Sequence, residues 1–540
     1  MLMTRRYRYT VSGLKLDVNK WLEAGYDDNR EARIVDFLKG QLSKKLGISK
    51  DKLFDLQLIK ESIDARKKDN INFTYTVDFS LGFKAKKLKE APKRIYEDVP
   101  YGSEACQHRP LVVGFGPCGM MAALLLAERG FKPIVIERGK SVDKRAEDVE
   151  RFWNERILDE NSNVQFGAGG AGTFSDGKLT TGIKDLRIRK VLKDFVELGA
   201  PKDILYKGKP HIGTDVLREV VKNLEKRITS LGGKILYSTC FEHMEFGTDG
   251  QLNAIEAIDI KSGEKIKILC NELILAIGHS ARDTFSNLYN QGVVMEQKPF
   301  SIGVRIEHPQ EIIDMAQYGS TGILPPADYK LNHRCENGRG VYTFCMCPGG
   351  HVIMAASKDK TVVTNGMSNR SRDSGVANSG LLCDVRTSDF GSDHALAGVE
   401  FQERYERLAF ENGGGNYLPP KCTWKEFKGK GDNSVRVKNS LPEFAVDAIL
   451  EAMPNLGRKL KGFDMDEAVF TAVETRSSSP VRFHRNESME GYIDSADNER
   501  VLLKGFYPCG EGAGYAGGII SAACDGIKAA ETIIRKYNVL

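Results

Sequence analysis

The segment RPLVVGFGPCGMMAALLLAERGFKPIVIERG, residues 109–139, restricts the possible folds more than any other stretch of the chain. Leu111, Val112 and Val113 are a short apolar run, Gly114, Gly116 and Gly119 follow as GxGxxG, and an Ala- and Leu-rich helix is predicted directly after them. Each glycine has a separate physical reason. Gly114 permits a tight turn, Gly116 lets the backbone approach a pyrophosphate, and Gly119 lets the helix lie close on a sheet. Pro117 and Cys118 open that helix, whose free N–H groups and partial positive charge favour phosphate. A second strand, Pro133 to Ile136, ends at Glu137, 23 residues beyond Gly114, with Arg138 beside it. The Glu137 carboxylate is suited to ribose hydroxyls and would repel a 2′-phosphate. Strand, glycines, helix, strand and acid in that order predict a Rossmann-type α/β unit that binds a dinucleotide.

Two other stretches match GxGxxG. Gly167, Gly169 and Gly172 lie in NVQFGAGGAGTFSDGKLTTG, where Thr173, Ser175, Asp176 and Gly177 favour a loop. This predicts a polar, flexible loop close to the cofactor, with Gly172, Ser175 and Lys178 in reach of it. Gly512, Gly514 and Gly517 follow a predicted strand that ends at Gly510-Glu511 and precede a predicted helix. Only 23 residues follow Gly517, too few for a second βαβ unit, so Gly517, Gly518 and Ile519 are expected to touch the same cofactor.

The 540 residues suffice for roughly three to four domains, and 41% apolar against 28% charged residues is a globular composition. The longest apolar run, residues 120–127, is far below the ~18 residues of a membrane span, and the N-terminus has no signal-peptide core. Eleven cysteines, an odd number, suit a reducing compartment, and a cytoplasmic location is expected.

The net charge of +5 is unevenly placed. Residues 1–100 hold 22 Lys and Arg against 15 Asp and Glu, and the rest of the chain holds 56 against 58. That first segment reads as a βαββ module of the ferredoxin-like α+β kind. A strand is predicted over residues 5–16, a helix over residues 28–46 with Ile34, Leu38, Leu42 and Leu46 on one face, and strands over residues 53–65 and 72–81. A charged linker, KAKKLKEAPKR, follows. Arg66, Lys67 and Lys68 with Phe73 and Tyr75 could form an RNA-binding face, although alternating aromatics on a strand more often form a core.

An N-terminal fingerprint paired with a glycine-rich helix almost four hundred residues later resembles flavoproteins of the glutathione-reductase-like superfamily. The resemblance implies FAD. The first motif would hold the ADP half, and the terminal Gly-acid motif the ribityl-phosphate chain. The final helix would point at the flavin N1 and C2 carbonyl region. Glu511 stands where that family usually has Asp. NELILAIGHSARDTF, with Ala276 and Gly278, resembles the internal small-x-Gly turn, and a helix, turn and strand over residues 211–240 would end with Cys240 and Phe241 covering the adenine. KESIDARKK, GGAGTFSDGKL, GHSARDTF, GVRIEHPQ, CMCPGG and TRSSSPVR together resemble an uncharacterised group of bacterial FAD-dependent dehydrogenases over nearly the whole chain.

The domain plan expected is an N-terminal module and linker over 1–98, a first FAD-binding part over 105–290, an inserted substrate or capping domain over 291–499, and a second FAD-binding part over 500–540. Within the insertion, Arg305, Glu307, His308 and Arg476 are candidates for binding an anionic substrate or shaping the flavin pocket, the alternative being surface ion pairs. His308 could act as acid or base. Cys345 and Cys347 could form a redox-active pair, but CxC lacks the spacing of flavin disulfide reductases and simple packing is expected. His333, Cys335, Cys345, Cys347 and His351 fit no common zinc pattern, and no metal is expected. The charged stretch Glu400 to Phe410 reads as a solvated helix face.

The function expected is an FAD-dependent oxidoreductase that moves hydride between a small organic substrate and flavin, with NAD(P)H as a transient donor or another acceptor completing the cycle. The alternatives are a flavoprotein that binds RNA through the basic module and a scaffold whose FAD is structural.

Overall fold

A computed structural model of the chain describes residues 6–25, 27, 29–494 and 499–539. In the N-terminal unit, strands Tyr7–Asp17, Phe54–Asp64 and Asn72–Leu81 form an antiparallel sheet with Asn72–Leu81 in the centre. Helix Arg30–Leu46 packs Ile34, Leu38 and Leu42 into this unit's core. The βαββ order is that of the sequence reading. The expected strand start at residue 5 and helix start at Asp28 lie outside the described residues.

The RNA-binding face is corrected at its aromatics. Phe73 stacks on Trp21 with ring centroids 4.1 Å apart, and the buried Tyr75 hydroxyl donates to Glu61 at 2.7 Å. Both rings are core and unavailable to bases, because residues that alternate along a central strand turn to the helix-covered face. Lys68 donates to the Ala316 carbonyl, so part of the basic stretch faces protein. The charged linker is docked rather than loose: Lys89 and Ala91 bond the backbone of the first strand, and Arg94 pairs with the fully buried Asp78 at 2.8 Å.

The second unit is a parallel five-stranded sheet in the order Phe506–Pro508, Leu273–Leu275, Leu111–Val113, Ile134–Glu137, Lys234–Tyr237. Such strands read as unbroken apolar runs because both faces are covered. Helix Pro117–Glu128 lies over them with Cys118 through Ala127 all buried. It packs on the terminal helix Ile519–Lys536 so closely that a Cβ on Gly526 would sit 2.0 Å from the Cys118 carbonyl oxygen. A three-stranded antiparallel sheet, Thr239–Phe246, Leu252–Asp259 and Lys265–Leu269, flanks the unit.

Between strands 273–275 and 506–508 the chain leaves this sheet and builds another. Six strands run Asn332–Arg334, Gly340–Cys347, Val376–Val385, Phe300–Pro309, Val469–Glu474, Lys421–Thr423, and carry a separate apolar core covered by helices Ala397–Asn412 and Glu443–Lys459. Helix Ala397–Asn412 corrects the expected solvated face. Gln402 and Glu406 are fully buried on it, because Arg282 and Arg476 reach Glu406 from outside the helix.

Candidate cofactor site

The fingerprint glycines divide by what surrounds them. Gly114 has φ +97° and a Cβ there would lie 2.4 Å from the Ala276 carbonyl oxygen, while a Cβ on Gly119 would lie 1.9 Å from the Gly114 oxygen. Those two are required by the fold itself. At Gly116 a Cβ would meet only the Gly170 Cα, at an ordinary 3.6 Å, and at Gly517 nothing lies within 4 Å. The space beside these two is held open by the protein and is not filled by it.

That space is a cleft enclosing about 1380 Å³, part of it continuous with solvent. Gly114, Gly116, Pro117, Cys118, Glu137, Arg138, Gly172, Ser175, Cys240, Phe241, Ala276, Gly278, Glu511, Gly517, Gly518 and Ile519 line it, so residues up to four hundred positions apart meet as the sequence reading expected. Two helix N-termini open onto the cleft. Neither Gly116 nor Gly518 gives its helix a side-chain cap, which leaves N–H groups for an acceptor from outside the chain.

Three expected contacts lie elsewhere. Gly119 is packed under the helix, Gly510 (φ +73°) sits against Cys118, and the Lys178 ammonium stands 3.7 Å from Asp176. Glu137 lines the cleft but already accepts from the backbone N–H of Phe115 (2.7 Å), Gly139 (2.8 Å) and Gly167 (3.0 Å). Its carboxylate clamps three loops together and still has acceptor capacity on the cleft side.

The loop expected to be flexible is tethered at residues 167–170. Arg145, fully buried, donates to the carbonyls of Asn163 (2.8 Å), Val164 (2.8 Å), Gly167 (3.3 Å), Ala168 (2.7 Å) and Gly170 (2.9 Å). Burial disfavours its charge, and these five carbonyls supply what water would have given. Phe174 lies between Arg145 and Arg218, each 4.8 Å from its ring centroid. Arg145 was missed because nothing local marks it: it is one charge on an amphipathic helix, Val142–Glu155.

The far wall of the cleft comes from the six-stranded-sheet region: Phe344, Asn365, Arg476 and Ser477. Arg476 grips Glu406 through two nitrogens (3.0 and 2.8 Å) and donates to Ser280 (2.9 Å) and Ser357 (2.7 Å). Arg282 binds the same carboxylate at 2.8 and 2.7 Å, so two guanidiniums share one carboxylate, with Glu403 a further 3.8 Å from Arg282. His279, another residue absent from the sequence reading, lines the cleft with Nδ1 3.1 Å from Glu511.

Three catalytic candidates are corrected. Arg305 is fully buried, paired with Glu474 at 2.6 Å and donating to the Cys345 carbonyl at 2.9 Å, so it neither binds substrate nor lies on the surface. Glu307 is beside Thr471 and burial pushes its carboxyl up. His308 is buried, its Nε2 is 2.7 Å from the Phe463 carbonyl, and burial pushes it down to about 4. A neutral, enclosed imidazole is no acid or base for the cleft. Cys345 and Cys347 stand one and three residues beyond Phe344 and do not line the cleft themselves. No helix among the described residues is long and apolar enough to cross a membrane.

Comparison with known proteins agrees with this geometry. A model described as an FAD binding domain matches residues 108–150, one described as FAD-dependent protein, C-terminal domain-like matches 299–477, and a domain of unknown function matches 28–80. Among solved structures, glycerol-3-phosphate dehydrogenase from Bacillus halodurans complexed with FAD is 13% identical, with coverage of 78% of this chain and 64% of that one and a TM-score of 0.35. Glycine oxidase from Bacillus cereus is 11% identical, with coverage of 80% and 98% and a TM-score of 0.35. Likenesses this slight bear no weight. An uncharacterized protein of Clostridium beijerinckii is 45% identical over 536 residues, 94% of this chain and 97% of the relative. The chain belongs to the family of that protein and, with FAD-binding and FAD-dependent segments and the redox chemistry a flavin carries, is an FAD-dependent oxidoreductase.

Proposed function

We propose that the region over 291–499 is a substrate domain inserted into the FAD-binding domain, and that the chain oxidises or reduces a small organic molecule held between the two. The observation that carries this reading is the mixed lining of one cleft, glycines and helix N-termini on one side and Phe344, Asn365, Arg476 and Ser477 on the other. Bound FAD supplies hydride acceptance and return. The chain's residues do the rest. With FAD bound, Gly116 and the N–H groups after Pro117 would receive the pyrophosphate, Glu137 and Arg138 would hold the ribose, and Gly518 and Ile519 would favour negative charge on the flavin. Arg476, immobilised by Glu406 and two serines, offers a fixed guanidinium on the substrate side, suited to an anionic group of the substrate.

NAD(P)H is proposed as the transient donor, entering the same cleft. The N-terminal unit is read as the βαββ half of a ferredoxin-like module. The test is anaerobic titration of the purified flavoprotein with NADH and NADPH, followed by flavin absorbance, then reoxidation by a panel of small carboxylate-bearing acceptors. Bleaching by one nicotinamide and recovery with an acceptor is expected. No bleaching by any donor, dithionite apart, would favour a structural FAD.

A further inference from the structure

Cys345 and Cys347 were expected only to pack, and three observations point elsewhere. Strand Gly340–Cys347 loses register against Val376–Val385 between Phe344 and Cys347, a bulge, and Cys345 holds φ +44° there without being glycine. The bulge draws the two cysteines together, so that the Cys347 thiol lies 3.3 Å from the Cys345 carbonyl oxygen. Second, the pair lies among charges: Arg305 donates to the Cys345 carbonyl at 2.9 Å, Lys178 acts on both thiols, Asp176 and Glu474 are the nearby acids, and His211 and Arg372 are held by Asp176. Third, Gly366 packs directly on the pair, since a Cβ there would lie 2.8 Å from the sulfur of the fully buried Cys347 and 2.4 Å from the Arg305 guanidinium, so Cys347 is an enclosed partner that only its neighbour can reach. The chain neighbours of these residues, Phe344 and Asn365, line the cleft.

We propose that Cys345 and Cys347 are a redox-active dithiol, with Cys345 the attacking sulfur and Cys347 the resolving one, reacting with low-molecular-weight disulfides at the back of the cleft. Cys345 attacks one sulfur of the small disulfide, its S–S bond breaks, and one small thiolate leaves and takes a proton from solvent. Cys347 gives up its proton, attacks the Cys345 sulfur of the mixed disulfide, and expels the second small thiol. Two protein thiols become one disulfide, and two electrons and two protons have passed to the small molecule. The roles follow from the surroundings. Pairing with Cys347, then Lys178 and Arg305, hold the Cys345 thiol below its ordinary range against burial and Asp176, while pairing and burial hold Cys347 above its own. Cys345 is also the half-buried one of the two.

The inference is independent of the flavin reading and its test does not use turnover. Reduced wild-type flavoprotein is pulsed with iodoacetamide near pH 7, and labelling is read peptide by peptide by mass spectrometry. Cys345 should react roughly 10-fold faster than the half-buried Cys106, a neutral thiol that burial pushes up to about 11. With glutathione disulfide as the probe, wild type should yield a peptide two hydrogens lighter. Cys347→Ser should stop with one glutathionyl group on Cys345, and Cys345→Ser should leave Cys347 unmodified. Equal labelling of Cys345 and Cys106, or glutathionylation of Cys347 ahead of Cys345, overturns the proposal, and the first of these needs no variant to fold.

Discussion

The two walls of the cleft are built by opposite means. On the parallel-sheet side the wall is backbone: Gly116, Gly517 and Gly518 present N–H groups and empty space. On the other side it is buried charge: Arg282, Glu406 and Arg476 in one network, Arg305 and Glu474 in another just behind. Each stretch of a backbone wall is set by residues a few positions apart, and at Gly116 and Gly517 a side chain would enter the cleft and not the protein. A charged wall is set by partners far apart in sequence, and removal of one partner strands the other in a low-dielectric interior.

The largest expected effects separate the two kinds of glycine. Gly119→Val should abolish soluble protein, because its Cβ would overlap the Gly114 carbonyl. Gly116→Val should leave the melting of the apoprotein within about 0.5 kcal/mol of wild type and remove FAD, because only the cofactor's space is filled. FAD occupancy by chromatography after heat release, beside a thermal melt, reads both. Normal occupancy in Gly116→Val would break the distinction between the walls.

Next in size is Glu406→Gln, which leaves Arg282 and Arg476 facing each other with no anion between them. A loss of about 3–5 kcal/mol is expected in denaturant unfolding, as for other broken buried pairs. Arg145→Met should cost less stability but should weaken FAD binding roughly 10-fold by freeing the loop at 167–170, measured by cofactor titration of apoprotein.

A finer comparison uses pH. Glu406 is raised by burial but lowered further by Arg282 and Arg476, so its carboxyl is held well below the usual range. Its stabilisation is present above the unfolded value near 4.5 and is lost as pH falls below it. Glu474 has one guanidinium where Glu406 has two, and burial pushes it up to about 7. Its contribution is full below about 4.5 and is lost as pH rises toward 7. The stability difference between wild type and Glu474→Gln should therefore shrink from pH 5 to 7. The Glu406→Gln difference should stay flat over that range. Least affected should be the N-terminal surface. Arg66→Ala removes an exposed pair with Asp64 and should change stability by less than about 0.5 kcal/mol.

The glycine wall was legible because its rules are local. Turn, close approach and helix start are written within six residues at Gly114–Gly119, and again at Gly510–Ile519. Arg476 could be suspected but its partner could not, since Glu406 lies 70 positions away on a helix that reads as charged and solvated. Arg145 and His279 carry no local mark at all. Lys178, placed near the cofactor by its loop, instead turns toward Asp176.

The sequence alone determined the Rossmann unit and the return of the terminal helix, because backbone geometry at glycine depends on the residue itself and its immediate neighbours, while FAD was implied by the resemblance to known flavoproteins. Only the tertiary structure decided which charges are buried, which arginine reaches the cleft, and that Cys345 sits on a bulge beside the Arg305 guanidinium. Electrostatic environment is a property of what surrounds a side chain, and in this molecule those surroundings come from strands and helices tens to hundreds of residues away.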